Sequence, residues 1–323
     1  MVMNNSITDS AVKAAMSAIA DTTATVQEKI EMLIEVAQGF VKKPKTAQDL
    51  YNAIFLYDKA QELSGEDFPL HQARAKGGKG SALQAIPEEN IELLLQAKTA
   101  YEQALPILQE SGSIEETAEA KMNLGLVLQS LASSNMARMT DSIQLYQEAL
   151  QVLNADSYPQ EYAILHNNIA IAYLSMSSGS QQQYLFEGLA VQSFEVALRR
   201  INLIEHPREY AMLQNNLGNA LQYLPSSHPF ENNSRAVIAY DEALKVRNPR
   251  NTPIEYANTI ANKANALINL PDKLRRPEAG NQQNILKARD YYQQALEIFS
   301  QHGQTGQAQA VSQVLEELGM GNR

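Results

Sequence analysis

This chain of 323 residues contains no cysteine and no tryptophan. Without cysteine it has no disulfides, no thiolate metal site and no thiol nucleophile. Long apolar runs are missing too. Between Lys13 and Asp21 the uncharged stretch is too short for a signal-peptide core or a membrane span, so the expected location is the cytoplasm, with no membrane insertion. Positive charge is scarce: 26 Lys and Arg stand against 36 Asp and Glu, a net charge of −10. Nucleic-acid affinity comes largely from clustered Lys and Arg that displace counterions, so this balance argues against a nucleic-acid partner. The five histidines, His71, His166, His206, His228 and His302, lie far apart and form no metal-ligand pair at helical spacing. No nucleophile, base and orienting group occur as a recognisable set. The reading is of a non-catalytic protein without cofactor or metal.

What the chain does have is repetition. A small residue, an aromatic four positions later and an alanine three after that recur as Ala53/Tyr57/Ala60, Ala97/Tyr101/Ala104, Ser142/Tyr146/Ala149, Ala190/Phe194/Ala197, Ala236/Tyr240/Ala243 and Ala288/Tyr292/Ala295. Offsets of four and three stack side chains on one helix face. Small residues let a neighbouring helix come close, and the aromatic fills the space beside them. Each copy therefore predicts the packing seam of one helix in a serial array.

A second segment recurs between the seams: AKMNLGLVLQSL (120–131), LHNNIAIAYLSM (165–176), LQNNLGNALQYL (213–224), IANKANALINL (260–270) and, more weakly, AKGGKGSALQAI (75–86). Each unit is thus a helix pair, the first helix carrying this segment and the second the aromatic seam. Three first helices open with Pro-x-Glu-Tyr-Ala, at Pro159, Pro207 and Pro253. Proline suits the first helical position and glutamate the positive end of the helix dipole. Glu161, Glu209 and Glu255 are accordingly helix-start residues, and Thr252 with Glu255 predicts a capping box. The segments 177–183, 225–234 and 271–283, rich in Pro, Gly, Ser and Asn, read as loops. They would serve either as a second binding surface or as tolerated surface insertions. Lys273, Arg275 and Arg276 in the last of them form the one dense basic cluster.

The predicted fold is all-α: a right-handed α-solenoid of about six helix pairs with a C-terminal covering helix. Residues 1–45 form N-terminal helices over 8–20 and 24–42, the second opening the first pair. Residues 46–303 hold the repeats. Residues 304–323 form the cap, with Ala310, Val311, Val314, Leu315 and Leu318 on one face. Gly77-Gly78-Lys79-Gly80-Ser81 lacks the strand and the glycine spacing of a phosphate-binding loop, and aligns instead as a glycine-rich first helix. Three glycines there predict the softest part of the array.

N-L-G-x-A-L paired with A-x-x-x-Y-x-x-A-L resembles the tetratricopeptide repeat family, most strongly over 114–301. The period is longer than the family's standard repeat, since successive aromatics stand 44, 45, 48, 46 and 52 residues apart. The N-N-L-A pattern is similar to the kinesin light chain type. The resemblance implies a concave wall built from first helices. Carried onto this chain, its groove positions are Gly78 and Ser81, Asn123 and Leu126, Asn168 and Ile171, Asn216 and Asn219, Asn262 and Asn265, with Asn167 and Asn215 adjacent. Amides both donate and accept, so such a column would grip the main chain of a protein or peptide segment. It would equally well join neighbouring helices, and both readings stand at this point. The basic positions by which some members hold a C-terminal carboxylate are here Gly77, Met122, Asn167, Asn215 and Ala261, so that clamp is missing. The implied function is a protein-interaction scaffold or chaperone-like assembly adaptor. The alternative is a peptide- or small-ligand-sensing regulator whose superhelix changes shape on binding.

Overall fold

The seam triplets decide the architecture. In the computed structural model, which describes residues 10–20, 23–88, 90–177, 182–224 and 229–320, every aromatic of the six triplets is at most 4 % exposed and every flanking small residue is wholly buried. Fourteen α-helices and one short 3-10 turn make up the regular structure of the described residues, with no strand. The helices form two compact units, Met1–Leu153 and Asn154–Arg323.

The first unit holds α1 (Ser10–Ile19) and then three helix pairs: α2 (Val26–Lys42) with α3 (Ala47–Ser64), α4 (Pro69–Ala85) with α5 (Ile91–Ser111), and α6 (Ile114–Ser133) with α7 (Met139–Leu150). The second holds three more: α8 (Pro159–Ser177) with α9 (Gln183–Leu198), α10 (Pro207–Tyr223) with α11 (Pro229–Leu244), and α12 (Pro253–Ile268) with α13 (Gln282–Gln301), followed by α14 (Thr305–Met320). Within each unit consecutive helices pack on one another, and first helices also touch the first helices of adjacent pairs: α2 on α4, α4 on α6, α8 on α10 and α10 on α12. This is the serial arrangement of a TPR-like helical repeat. Each hydrophobic cluster lies within one unit.

Helix starts follow local chemistry. Thr25 and Ser113 make reciprocal capping boxes with Glu28 and Glu116 at the heads of α2 and α6. The Pro-x-Glu-Tyr-Ala helices start differently. Asn154, Asn202 and Asn248 each stand five residues before the proline, and each side-chain oxygen accepts two backbone N–H groups of the turn. These asparagines fold the inter-repeat turn upon itself, as Asx residues do. The expected Thr252/Glu255 box does not form. The Thr252 hydroxyl instead bonds the Asn248 backbone, accepting from its N–H at 2.9 Å and donating to its carbonyl at 3.2 Å, because the tight turn already holds it there.

Two further expectations are corrected. Residues 229–234 open α11 and are not loop; Glu231 lies in its first turn and Asn232, buried, donates to the Leu224 carbonyl at 2.6 Å. The preceding residues 225–228, like 178–181 of the 177–183 segment, lie outside the described residues. On α14, Ala308 packs on the core with Val311, Val314, Leu315 and Leu318, while Ala310 is exposed. The 271–281 loop is ordered by Asp272, whose carboxylate accepts the backbone N–H groups of Gln283 and Asn284 and so caps α13.

Candidate binding groove

Three seam tyrosines, Tyr101, Tyr146 and Tyr240, make specific contacts at both ends of the side chain. Each ring lies against the first helix at a position where a side chain would not fit. A Cβ on Gly80, Gly125 or Gly218 would come within 2.8, 2.6 and 2.6 Å of the rings of Tyr101, Tyr146 and Tyr240. These three glycines occupy one repeat position, the third residue of N-L-G, and in these three repeats the tyrosine ring leaves no room for a Cβ. Gly78 is excluded from having a side chain in the same way, by Tyr57 at 2.3 Å. The repeats that carry Phe194 and Tyr292 have Ala170 and Ala264 in the equivalent place.

The tyrosine hydroxyl then needs a partner, since burial leaves a phenol O–H costly to orphan. First-helix side chains supply it. Tyr101 bonds Ser81 at 2.7 Å and also Asn123. Tyr146 donates to Gln129 at 2.8 Å, and Tyr240 donates to Asn219 while accepting from Gln222, both at 2.7 Å. Burial pushes the phenols of Tyr101 and Tyr292 up to about 12 and raises those of Tyr57 and Tyr240 as well. All four therefore stay protonated at any working pH.

The amide positions read from the sequence fall into two sets. Asn167, Asn168 and Asn215 are buried. They form one ordered row with the half-buried Asn216: Asn215 donates to Asn216 (3.0 Å), Asn216 to Asn167 (2.7 Å) and Asn167 to Asn168 (3.2 Å), crossing from α10 to α8. These four amides join helices. Asn123, Asn219 and Asn262 are half-buried and Asn265 is exposed. Asn265 donates to Gln222 at 2.9 Å, Gln222 to Tyr240, and Tyr240 to Asn219. That row runs over α12, α11 and α10 and leaves the Asn219 amide N–H groups and the Asn265 side-chain carbonyl without a partner among the described residues.

Sequence reasoning passed over two lysines. Lys79 and Lys263 stand where other repeats have Leu124, Ile169 and Leu217, and each reaches the aspartate that follows a seam tyrosine, Asp58 at 2.6 Å and Asp241 at 2.5 Å. Lys263, buried to 9 % exposure, also lies 5.0 Å from the centre of the Tyr291 ring. The signal was legible as a paired change, Leu to Lys in one helix and Glu or Gln to Asp in its neighbour. His166 is another polar group in the interior of α8. Its Nδ1 lies 3.0 Å from the Ser193 hydroxyl and its ring packs edge-on against Tyr162, and burial lowers its pKa to about 4.

Among the described residues no three His, Asp or Glu side chains converge as a metal site. No helix there is long and apolar enough to cross a membrane.

The chain is thus a helical-repeat protein with an amide-bearing first-helix face, and comparison with solved structures agrees on the fold. The C-terminal part of a TPR repeat-containing protein from Cytophaga hutchinsonii matches with a TM-score of 0.52 at 14 % identity, over 90 % of this chain and 89 % of that one. The TPR2AB domain of yeast Sti1, solved as a pHSP90 complex, matches at 16 % identity over 91 % and 99 % of the two chains, with a TM-score of 0.30 that carries no weight. No family model and no curated protein matches the sequence.

Proposed function

We propose that this chain is a non-catalytic cytoplasmic scaffold or assembly adaptor that holds a segment of another protein along its first helices, with neither nucleic acid nor a cofactor as ligand. The observation that carries the reading is the second amide row. Asn219 and Asn265 are fixed through Tyr240 and Gln222 before any ligand arrives, yet each keeps hydrogen-bonding capacity that no described residue fills. Preorganised amides lose little entropy on binding and suit the alternating N–H and C=O groups of a main chain. Asn262, half-buried on the same helix as Asn265, adds to this surface, and Asn123 holds the equivalent position in a repeat of the first unit. Asn167, Asn168, Asn215 and Asn216 back it by holding α8 to α10.

The test is capture of partners from the native source by wild type beside the triple variant Asn219→Ala/Asn262→Ala/Asn265→Ala, followed by titration of the partner recovered. The variant should keep wild-type helicity and bind at least about tenfold more weakly, each lost amide contact being worth about 1 kcal/mol. Undiminished affinity would discard the amide face as the binding surface.

A further inference from the structure

We infer that the second unit carries a peripheral membrane-docking edge, where the connections inside its helix pairs rest on an anionic lipid surface. The inference goes beyond the proposed function, which needs no lipid. Within each pair the end of the first helix meets the start of the second. The Tyr173 and Phe186 rings stack 6.1 Å apart, Asn232 donates to the Leu224 carbonyl at 2.6 Å, and Asn281 to that of Ile268 at 2.7 Å. Helices α8 to α13 pack consecutively and reverse direction at every turn, so first helices run parallel. Asn216 of α10 accordingly meets Asn167 of α8, and Asn265 of α12 meets Gln222 of α10. The ends of α8, α10 and α12 and the starts of α9, α11 and α13 therefore share one edge.

Tyr184 and Leu185 in the first turn of α9, Tyr223 at the end of α10 and Leu274 in the 271–281 loop are each more than half exposed, and none joins a hydrophobic cluster of the unit. Among the described residues, the inter-repeat turns on the opposite edge expose one large apolar side chain, Ile204. Leu274 stands between Lys273 and the pair Arg275 and Arg276, all exposed. Their loop is closed at its neck, where the Asp272 N–H donates to the Gly280 carbonyl at 2.8 Å. None of the three bases has a carboxylate partner among the described residues. Tyrosine, leucine and bare cations together suit a lipid interface: rings sit among the headgroups, aliphatic side chains enter the acyl boundary and cations meet anionic headgroups. Tips on successive hairpins can touch one flat surface at once, which favours a bilayer over a protein partner. Glu231 and Glu278 lie on the same edge, so the attraction comes from the loop tip and the apolar side chains add to it. The net charge of −10 turns the other faces away from an anionic surface and so sets one orientation.

The chain has no tryptophan, so Leu274→Trp places a single fluorescent reporter at the loop tip. Phosphatidylcholine vesicles containing phosphatidylglycerol should shift its emission to the blue, and vesicles of phosphatidylcholine alone should shift it less. In co-sedimentation of the full chain with the same anionic vesicles, Lys273→Gln/Arg275→Gln/Arg276→Gln should bind at least about tenfold more weakly than wild type. Tyr184→Ser/Tyr223→Ser should bind several-fold more weakly, and added salt should weaken wild type. These side chains are exposed, so both variants should keep wild-type helicity. An unmoved emission maximum, or wild type that does not sediment with anionic vesicles, would overturn the inference and leave the proposed function standing. Equal binding to the two kinds of vesicle would overturn it too, as would polyglutamate that binds the loop tip where anionic vesicles do not.

Discussion

Tyr240 shows how much one side chain settles in this fold. Its ring excludes a side chain at Gly218, and its hydroxyl orders Asn219 and Gln222. Gly218→Ala should therefore destabilise the protein by roughly 1–3 kcal/mol through overpacking, although alanine is the better helix former by about 1 kcal/mol. Urea titration measures this, and a variant as stable as wild type would contradict the close ring contact. His166 makes a second prediction at this scale. Its folded pKa, lowered by burial to about 4, lies below the ordinary value of 6.5, so the unfolded chain binds the extra proton first as pH falls. The stability it contributes is complete above about pH 6.5 and declines between there and about pH 4. His166→Gln should flatten that part of the stability profile in urea titrations at stepped pH, and an unchanged slope would contradict its buried neutral state. The seam aromatics were legible in the sequence because their spacing is strict. The partners of their hydroxyls were not, since a half-buried Asn or Gln on a helix looks the same whether it faces a tyrosine or a ligand.

At the scale of elements, repetition made the helix pairs readable and obscured what differs between them. The Pro-x-Glu-Tyr-Ala starts were recognised, but the asparagines at 154, 202 and 248 that fold the preceding turns were not, although their distance from the proline is constant. Local turn chemistry also overrode the capping box expected at Thr252. The Lys79–Asp58 and Lys263–Asp241 pairs act between elements, tying a first helix to the second helix before it. Such a pair placed at only some repeats helps fix which helix packs on which. Asp241→Ala leaves Lys263 charged and without its carboxylate at 9 % exposure, with only Tyr291 beside it. With Asp241 itself half exposed, this should cost about 1–2 kcal/mol. The double variant Asp241→Ala/Lys263→Met should recover most of that loss, because an apolar side chain restores the leucine-like packing of the other repeats. Thermal melts of the three proteins distinguish this from a pair that contributes nothing, for which Asp241→Ala would match wild type.

For the whole molecule, composition and the seams were enough to give an all-helical repeat, since each seam is a local pattern that repeats. The candidate surface was legible only as a column of amides. Whether an amide joins helices or faces a ligand depends on which neighbour lies within about 3 Å, and that is set by packing between repeats that no single helix encodes. In the second unit Asn167, Asn168, Asn215 and Asn216 bond one another, while Asn219 and Asn265 bond Tyr240 and Gln222 on neighbouring helices and keep further hydrogen-bonding groups unfilled among the described residues. The glycines of α4 were legible in the sequence only as softness, and the tyrosine rings against Gly78 and Gly80 come from packing between helices.

The central claim, that a partner's main chain lies along the first helices, is tested most directly by site-specific photocrosslinking. A photoreactive amino acid would replace Asn262 on first helix α12 in one protein and Leu286, 62 % exposed on second helix α13, in another. The account predicts a crosslinked partner peptide from position 262 and none from position 286. Crosslinks from position 286 with none from position 262 would contradict it.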